Sequence, residues 1–174
     1  LAIFDYGESL LVFDVRGLSG KSNMGVSNHV YFDENAKQKN TASHGLKGIK
    51  NPLADRGKVD IFENFIQAVR NRKEEHLDAH VYEGHVSSGL CHLANVSYRL
   101  GEKSSFDKKK KNFGGNKKAY EYVERMQDHL KENGLKLEDT DYIVGRTLNF
   151  DAKTESIKGD QEANELLSRT YRPP

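Results

Sequence analysis

One cysteine, Cys91, is present among 174 residues, so no disulfide can close within the chain and no cysteine-based zinc cluster can be built. A lone thiol suits a reducing compartment, and the cytoplasm is the expected location, with export as the alternative if a leader precedes Leu1. Neither sign of charge dominates: 27 Lys and Arg stand against 26 Asp and Glu. No global field therefore draws the molecule to nucleic acid or to an anionic membrane, and neither is an expected partner. Apolar runs all fall short of the roughly 20 residues that span a bilayer, and no charged-then-apolar leader opens the chain. The motifs of phosphate chemistry are missing too. There is no G-x-G-x-x-G and no P-loop, and Gly45, Gly48, Gly114 and Gly115 stand outside any strand–turn–helix context, as plain loop glycines do.

What remains is enough for one domain with appendages. Apolar residues make up 36% of the chain and charged residues 30%, a polar balance that assigns part of the length to surface extension. Residues 1–6 and 10–15 are short apolar and aromatic runs around Gly7-Glu8-Ser9, the composition of a tight hairpin. Alternation over 26–32 predicts a third strand, and 33–58 reads as a long polar loop. The chain opens inside a strand-like pattern and ends on Pro173-Pro174, so it reads as a fragment whose sheet begins with strands before Leu1.

Helical spacing of Val59, Phe62, Phe65, Ile66 and Val69, with Asp60 as a cap, predicts a helix over 59–72. A second helix is expected over 79–100, its stripe formed by Val86, Leu90, Leu93, Ala94 and Ser97, with Gly101 as a left-handed stop. Gly84, Ser87, Ser88 and Gly89 read as a close-packing surface against the sheet. Lys108 to Lys111 form a solvated linker into a third helix over 117–133, striped by Ala119, Tyr122, Val123, Met126 and Leu130 and closed by Gly134. A hairpin-like stretch over 148–157 and a short helix over 160–167 complete the tail. The expected class is α+β: an open, mostly antiparallel sheet, incomplete at its N-terminal edge, with helices packed on one face. Residues 1–101 belong to that sheet and helix domain, and 102–174 form an extension, one helix and a tail, that wraps it.

Among possible site residues, His76 and His80 are four apart, but Leu77 stands where a zinc-protease motif needs glutamate. His85 and His92 share a helix face without a carboxylate stripe, a poor metal site. Satisfied buried or interface histidines are one reading, and a hydrogen bond from His85 to substrate is the other. Cys91 has no activating base in reach along its helix and reads as core packing. Glu74-Glu75 and Glu138-Asp139 read as solvated surface.

Three separated motifs carry a family likeness. The stretch from Val59-Asp60-Ile61-Phe62-Glu63-Asn64-Phe65 through Ala68-Val69-Arg70-Asn71-Arg72-Lys73 resembles the "F-x-N-F-x-x-A-V-R-x-R-K" helix of the glucose–fructose oxidoreductase/inositol dehydrogenase (Gfo/Idh/MocA) family. The helix around Glu83-Gly84-His85-Val86 to Leu100-Gly101 is similar to the last domain helix of a subgroup common among planctomycete-like and verrucomicrobial bacteria. Phe150-Asp151-Ala152-Lys153-Thr154-Glu155, Asp160-Gln161-Glu162-Ala163-Asn164, Leu166-Leu167-Ser168-Arg169 and Tyr171-Arg172-Pro173 follow in the order of that subgroup's C-terminal extension.

The resemblance implies a Rossmann domain binding NAD or NADP ahead of this chain. It also implies a C-terminal domain whose sheet shapes a sugar or polyol pocket and pairs into a homo-oligomer. Hydride would pass between a sugar or cyclitol hydroxyl carbon and the nicotinamide. The family's catalytic lysine lies in a Glu-Lys-Pro motif and its Asp and His lie four apart; this chain has neither pattern. No catalytic or cofactor-binding residue and no metal ligand is therefore expected here, and Asp60 and His85 are the polar groups expected nearest to substrate. The alternatives are a non-catalytic carbohydrate-binding or assembly module, and an NAD-using glycosidase of the same family.

Overall fold

A computed structural model describes residues 1–19, 29–30, 39–40, 60–106, 113 and 115–172. The elements are β1 (Ala2–Asp5), β2 (Leu10–Phe13), β3 (His29–Val30), β4 (Lys39–Asn40), α1 (Ile61–Asn71), α2 (Val81–Arg99), β5 (Glu102–Ser105), α3 (Lys117–Glu132), β6 (Asp141–Val144), β7 (Phe150–Asp151), β8 (Ser156–Ile157) and α4 (Gln161–Glu165). Two single 3-10 turns, Glu74–His76 and Leu137–Asp139, accompany them. The class is α+β, with open antiparallel ribbons and helices alongside. Two compact units emerge: residues 1–21 with 87–174, and residues 22–86.

In the first unit, β1 and β2 pair antiparallel with Ala2 opposite Phe13 and Asp5 opposite Leu10. The turn closes because Gly7 adopts a φ of 83°, open to a residue without Cβ, and because the Asp5 carboxylate accepts the Gly7 N–H at 2.8 Å. The deepest packing joins the C-terminal half of α2 to the tail: Val96, Ile157 and Ala163 are buried together, with Leu93, Leu100, Leu148 and Leu166 against them. Helix α3 starts where the Asn116 side chain accepts the Ala119 N–H at 3.0 Å, and it buries Ala119, Val123 and His129. Gly134 follows at a φ of 81°, as the sequence predicts for a helix stop.

In the second unit, α1 begins at Asp60, whose carboxylate accepts the N–H groups of Phe62 and Glu63 at 2.7 and 3.4 Å. It ends with Arg72 in the left-handed region at a φ of 52°. Asn64 ties the helix to the segment after it, donating to the His76 carbonyl at 2.9 Å and accepting the Asp78 N–H at 3.0 Å.

Several expectations change. Described strands pair as four two-stranded ribbons, and β3 pairs with β4 in the expected loop instead of with β2. The other residues of the expected third strand, like Lys108 to Lys111, lie outside the described residues. Ribbon β5–β6, with Glu102 opposite Val144 and Ser105 opposite Asp141, has no counterpart in the sequence reading. Gly101 is not in a left-handed conformation. Its requirement is close approach: a Cβ there would meet the Val144 carbonyl at 2.5 Å and Ile143 Cγ2 at 2.7 Å. Gly84 and Gly89 are not a packing surface, since a Cβ at either meets nothing within 4 Å outside the helix's own backbone. Cys91 is exposed and does not pack in the core. The reason is helical phase: two residues turn the chain by about 200°, which puts Cys91 on the side of α2 opposite Leu93.

Candidate functional site

The two polar groups expected nearest to substrate are both engaged near their own helices. Asp60 caps α1. His85 is exposed on α2, with its ring centroid 6.4 Å from that of Tyr82. His92 is exposed as well. His80 is a helix-start residue: its Nδ1 accepts the Tyr82 N–H at 3.0 Å, which requires the Nε2–H tautomer, and Nε2 then donates to Glu74 at 2.5 Å.

The densest polar arrangement lies elsewhere, around Arg146 where the chain leaves β6. Its geometry begins with Gly145, which passes so close to α2 that a Cβ would collide with Ser97 Oγ and sit 3.2 Å from the Ser97 carbonyl. That approach lets Arg146 exchange two hydrogen bonds with one residue of α2. The Arg146 N–H donates to the Ser97 carbonyl at 3.0 Å, and Ser97 Oγ donates to the Arg146 carbonyl at 2.8 Å. The guanidinium then reaches the start of α4, where Nη1 donates to Glu162 at 2.8 Å and to Asp160 at 3.2 Å. Asp160 is the cap of α4 and accepts the Ala163 N–H at 3.0 Å. Asn164 completes the joint: it donates to the Ile157 and Asp160 carbonyls at 2.6 and 2.7 Å and accepts the Ile157 N–H at 2.8 Å. A side-chain amide thus satisfies both backbone groups of Ile157, a residue buried in the core.

Electrostatics match this geometry. Hydrogen bonds to Glu162 and then to Asp160 raise the Arg146 guanidinium above its ordinary range. The Asp160 carboxyl lies below the usual carboxylate value, first because the Ala163 N–H donates to it and then because Arg146 does. Asp151 is lowered by the Lys153 N–H and next by Lys158, whose Nζ is 3.0 Å away. These carboxylates are held ionised and occupied, the opposite of what a general acid requires. Beside the joint is an open depression of about 380 Å³ lined by Leu100, Glu102, Lys103, Ser104, Val144, Gly145 and Arg146. Its charged and polar lining is Glu102, Lys103, Arg146, which is bonded to Asp160 and Glu162, and Ser104, whose Oγ donates to the Ser105 carbonyl at 3.4 Å. Neither Asp60 nor His85 lines it.

A dinucleotide pyrophosphate would need free N–H groups at a helix start. Those of α1, α2 and α3 are capped by Asp60, His80 and Asn116, and α1 carries Glu63 in its first turn. At each of these helix starts a side chain thus already accepts at least one of the N–H groups. No group of three or more His, Cys, Asp or Glu able to hold a metal occurs among the described residues. No helix among the described residues is long and apolar enough to cross a membrane.

Sequence reasoning passed over Arg146 and Gly145, and it placed Ser97 on the stripe of the second helix without a polar partner. Arg146 meets partners 14 and 16 residues downstream, a spacing that no local pattern marks. Comparison with sequence models of known families, with curated proteins and with solved structures yields no match.

Proposed function

We propose that this chain is the substrate-pocket and oligomerisation half of a Gfo/Idh/MocA-type oxidoreductase that uses NAD or NADP on a sugar or cyclitol hydroxyl. The catalytic lysine and the cofactor site lie outside these residues, and the chain alone is inactive. In the complete enzyme the nicotinamide exchanges hydride with the substrate carbon, and this chain contributes pocket wall. The observation that carries the reading is the ordered set of three motifs, each of which coincides with a discrete folded piece. The first is α1 with its Asp60 cap, the second is α2, and the third is the β7–β8 hairpin with α4. The third motif also has a physical rationale residue by residue: Asp160 caps, Glu162 binds Arg146, Ala163 fills the core and Asn164 satisfies Ile157.

The test is to read the coding sequence upstream of Leu1 and to assay the complete protein for NAD(P)H formation on a panel of polyols and aryl glycosides. A G-x-G-x-x-G and a Glu-Lys-Pro upstream, with polyol-dependent reduction that the 174-residue chain alone lacks, is the expected result. Glycoside cleavage without net reduction would instead identify a glycosidase.

A non-catalytic carbohydrate-binding or assembly module is the second reading. The occupied state of every carboxylate in the Arg146 joint favours it, since such a joint can support a binding surface but not proton transfer. An unrelated domain or a stop codon upstream is its expected signature.

A further inference from the structure

Helix α3 ends on the one Asn-Gly pair in the sequence, Asn133-Gly134. An asparagine followed by glycine is chemically labile, because without a Cβ in the way the glycine nitrogen can reach the asparagine side-chain carbon. The Gly134 nitrogen attacks Asn133 Cγ, the Cγ–Nδ2 bond breaks, and the proton of that nitrogen leaves with Nδ2 as ammonia. Water then opens the five-membered imide. Attack at Cγ yields aspartate, and attack at the main-chain carbonyl carbon of residue 133 yields isoaspartate, whose backbone runs through Cβ and Cγ.

The fold holds this pair away from that reaction. The Gly134 N–H donates to the Lys131 carbonyl at 2.9 Å and the Leu135 N–H to the Leu130 carbonyl at 3.1 Å, the two bonds that close a helix through a left-handed glycine. Asn133 Nδ2, the atom that would leave, donates to the His129 carbonyl at 2.8 Å. Asn133 sits at a ψ of 14°. Ring closure needs the Gly134 nitrogen to eclipse Cβ, at a ψ of about −120° by the tetrahedral geometry of Cα, so the Cα–C bond must turn by about 130°. That rotation carries Gly134 and Leu135 off their carbonyls. The reaction is therefore open only while the last turn of α3 is open.

Conversion acts on the same bonds. A carboxylate at position 133 cannot donate to the His129 carbonyl, and it adds negative charge at the negative end of the helix dipole. Isoaspartate also adds one atom to the main chain and so spoils the spacing that brings Leu135 to Leu130. Buried His129 lies in the turn affected, and the segment beyond it leads through the 3-10 turn Leu137–Asp139 into β6.

We propose that Asn133 is a site of spontaneous deamidation gated by the closing turn of α3, and that its conversion irreversibly unlatches that turn. The inference does not depend on the oxidoreductase reading.

The test incubates the full chain at mildly alkaline pH, in buffer and in urea, and follows isoaspartate at position 133 by peptide mapping. Formation in urea about tenfold or more faster than in buffer is the expected result. Leu135→Pro removes one of the two closing N–H donors and leaves the Asn-Gly pair intact, so its rate in buffer is expected to approach the rate in urea. Asn133→Asp installs the normal product and is expected to speed amide exchange at Leu135 about tenfold, with helical circular dichroism retained. The wild-type ratio and the Asn133→Asp exchange decide the matter even if Leu135→Pro does not fold. Absence of isoaspartate in urea, equal wild-type rates in buffer and urea, a Leu135→Pro chain that reacts in buffer as slowly as wild type, or unchanged exchange at Leu135 in Asn133→Asp each overturns the proposal.

Discussion

Helix α1 and the joint between α2 and the tail place their apolar residues differently. In the joint, Val96, Ile157 and Ala163 are buried, and Arg146, Asp160 and Asn164 each have two or more partners. In α1, Ile61, Phe62, Phe65 and Ile66 are exposed, and Asn64 and buried Ala68 lie along one border of that apolar stripe. Burial of apolar surface is the main stabilising term available to a folded chain. The joint therefore gains that term within the chain, whereas the apolar stripe of α1 gains little of it.

The contrast can be broken most forcefully at Asn164. Replacing Asn164 with Ala removes three hydrogen bonds and leaves the N–H and carbonyl of buried Ile157 without their partner. At about 1 kcal/mol for each bond, the expected loss is about 3 kcal/mol, read by urea denaturation. A loss below about 1 kcal/mol would mean that the joint is not the most firmly held part of the molecule.

Next in size is Gly145→Ala, which pushes a Cβ into Ser97 and must separate β6 from α2. The expected cost is about 2 kcal/mol, in the range for overpacking a filled site. Hydrogen exchange at the Arg146 amide, which donates to Ser97, should rise in parallel.

How much of this was legible in the sequence follows from how far apart the partners lie. The α1 cap at Asp60, the α3 stripe and the Gly134 stop depend on neighbours within one turn, and a linear reading finds them. Ribbon β5–β6 joins segments separated by α3, and the polar run Glu102-Lys103-Ser104-Ser105 carries no strand signal of its own. Arg146 was invisible for the same reason, because only the β7–β8 turn carries Asp160 and Glu162 back to it. Cys91 was misread because apolar character was taken without helical phase.

Acid should separate the two regions without any mutation. Asp160 and Asp151 are both lowered in the folded state, so their contribution is present above the unfolded carboxylate value of about 3.9 and is lost as pH falls through the lower folded values. Below about pH 4 the tail is expected to loosen progressively, read as rising amide exchange at Ala163 and Lys153, which donate to these carboxylates. Exchange that stays flat down to pH 2 would remove these carboxylates from the account of the joint.

The smallest expected effect is the most telling about α1. Phe62 is largely exposed, so Phe62→Ser should change the unfolding free energy of the monomer by no more than about 0.5 kcal/mol, measured at concentrations too low for association. Truncating a buried aromatic ordinarily costs about 3–5 kcal/mol, so a large loss here would mean that Phe62 is covered within the monomer and that α1 is an ordinary core helix. If stability holds, Phe62 contributes little to the packing of the single chain, and the stability of the described fold rests on the joint and not on the stripe of α1.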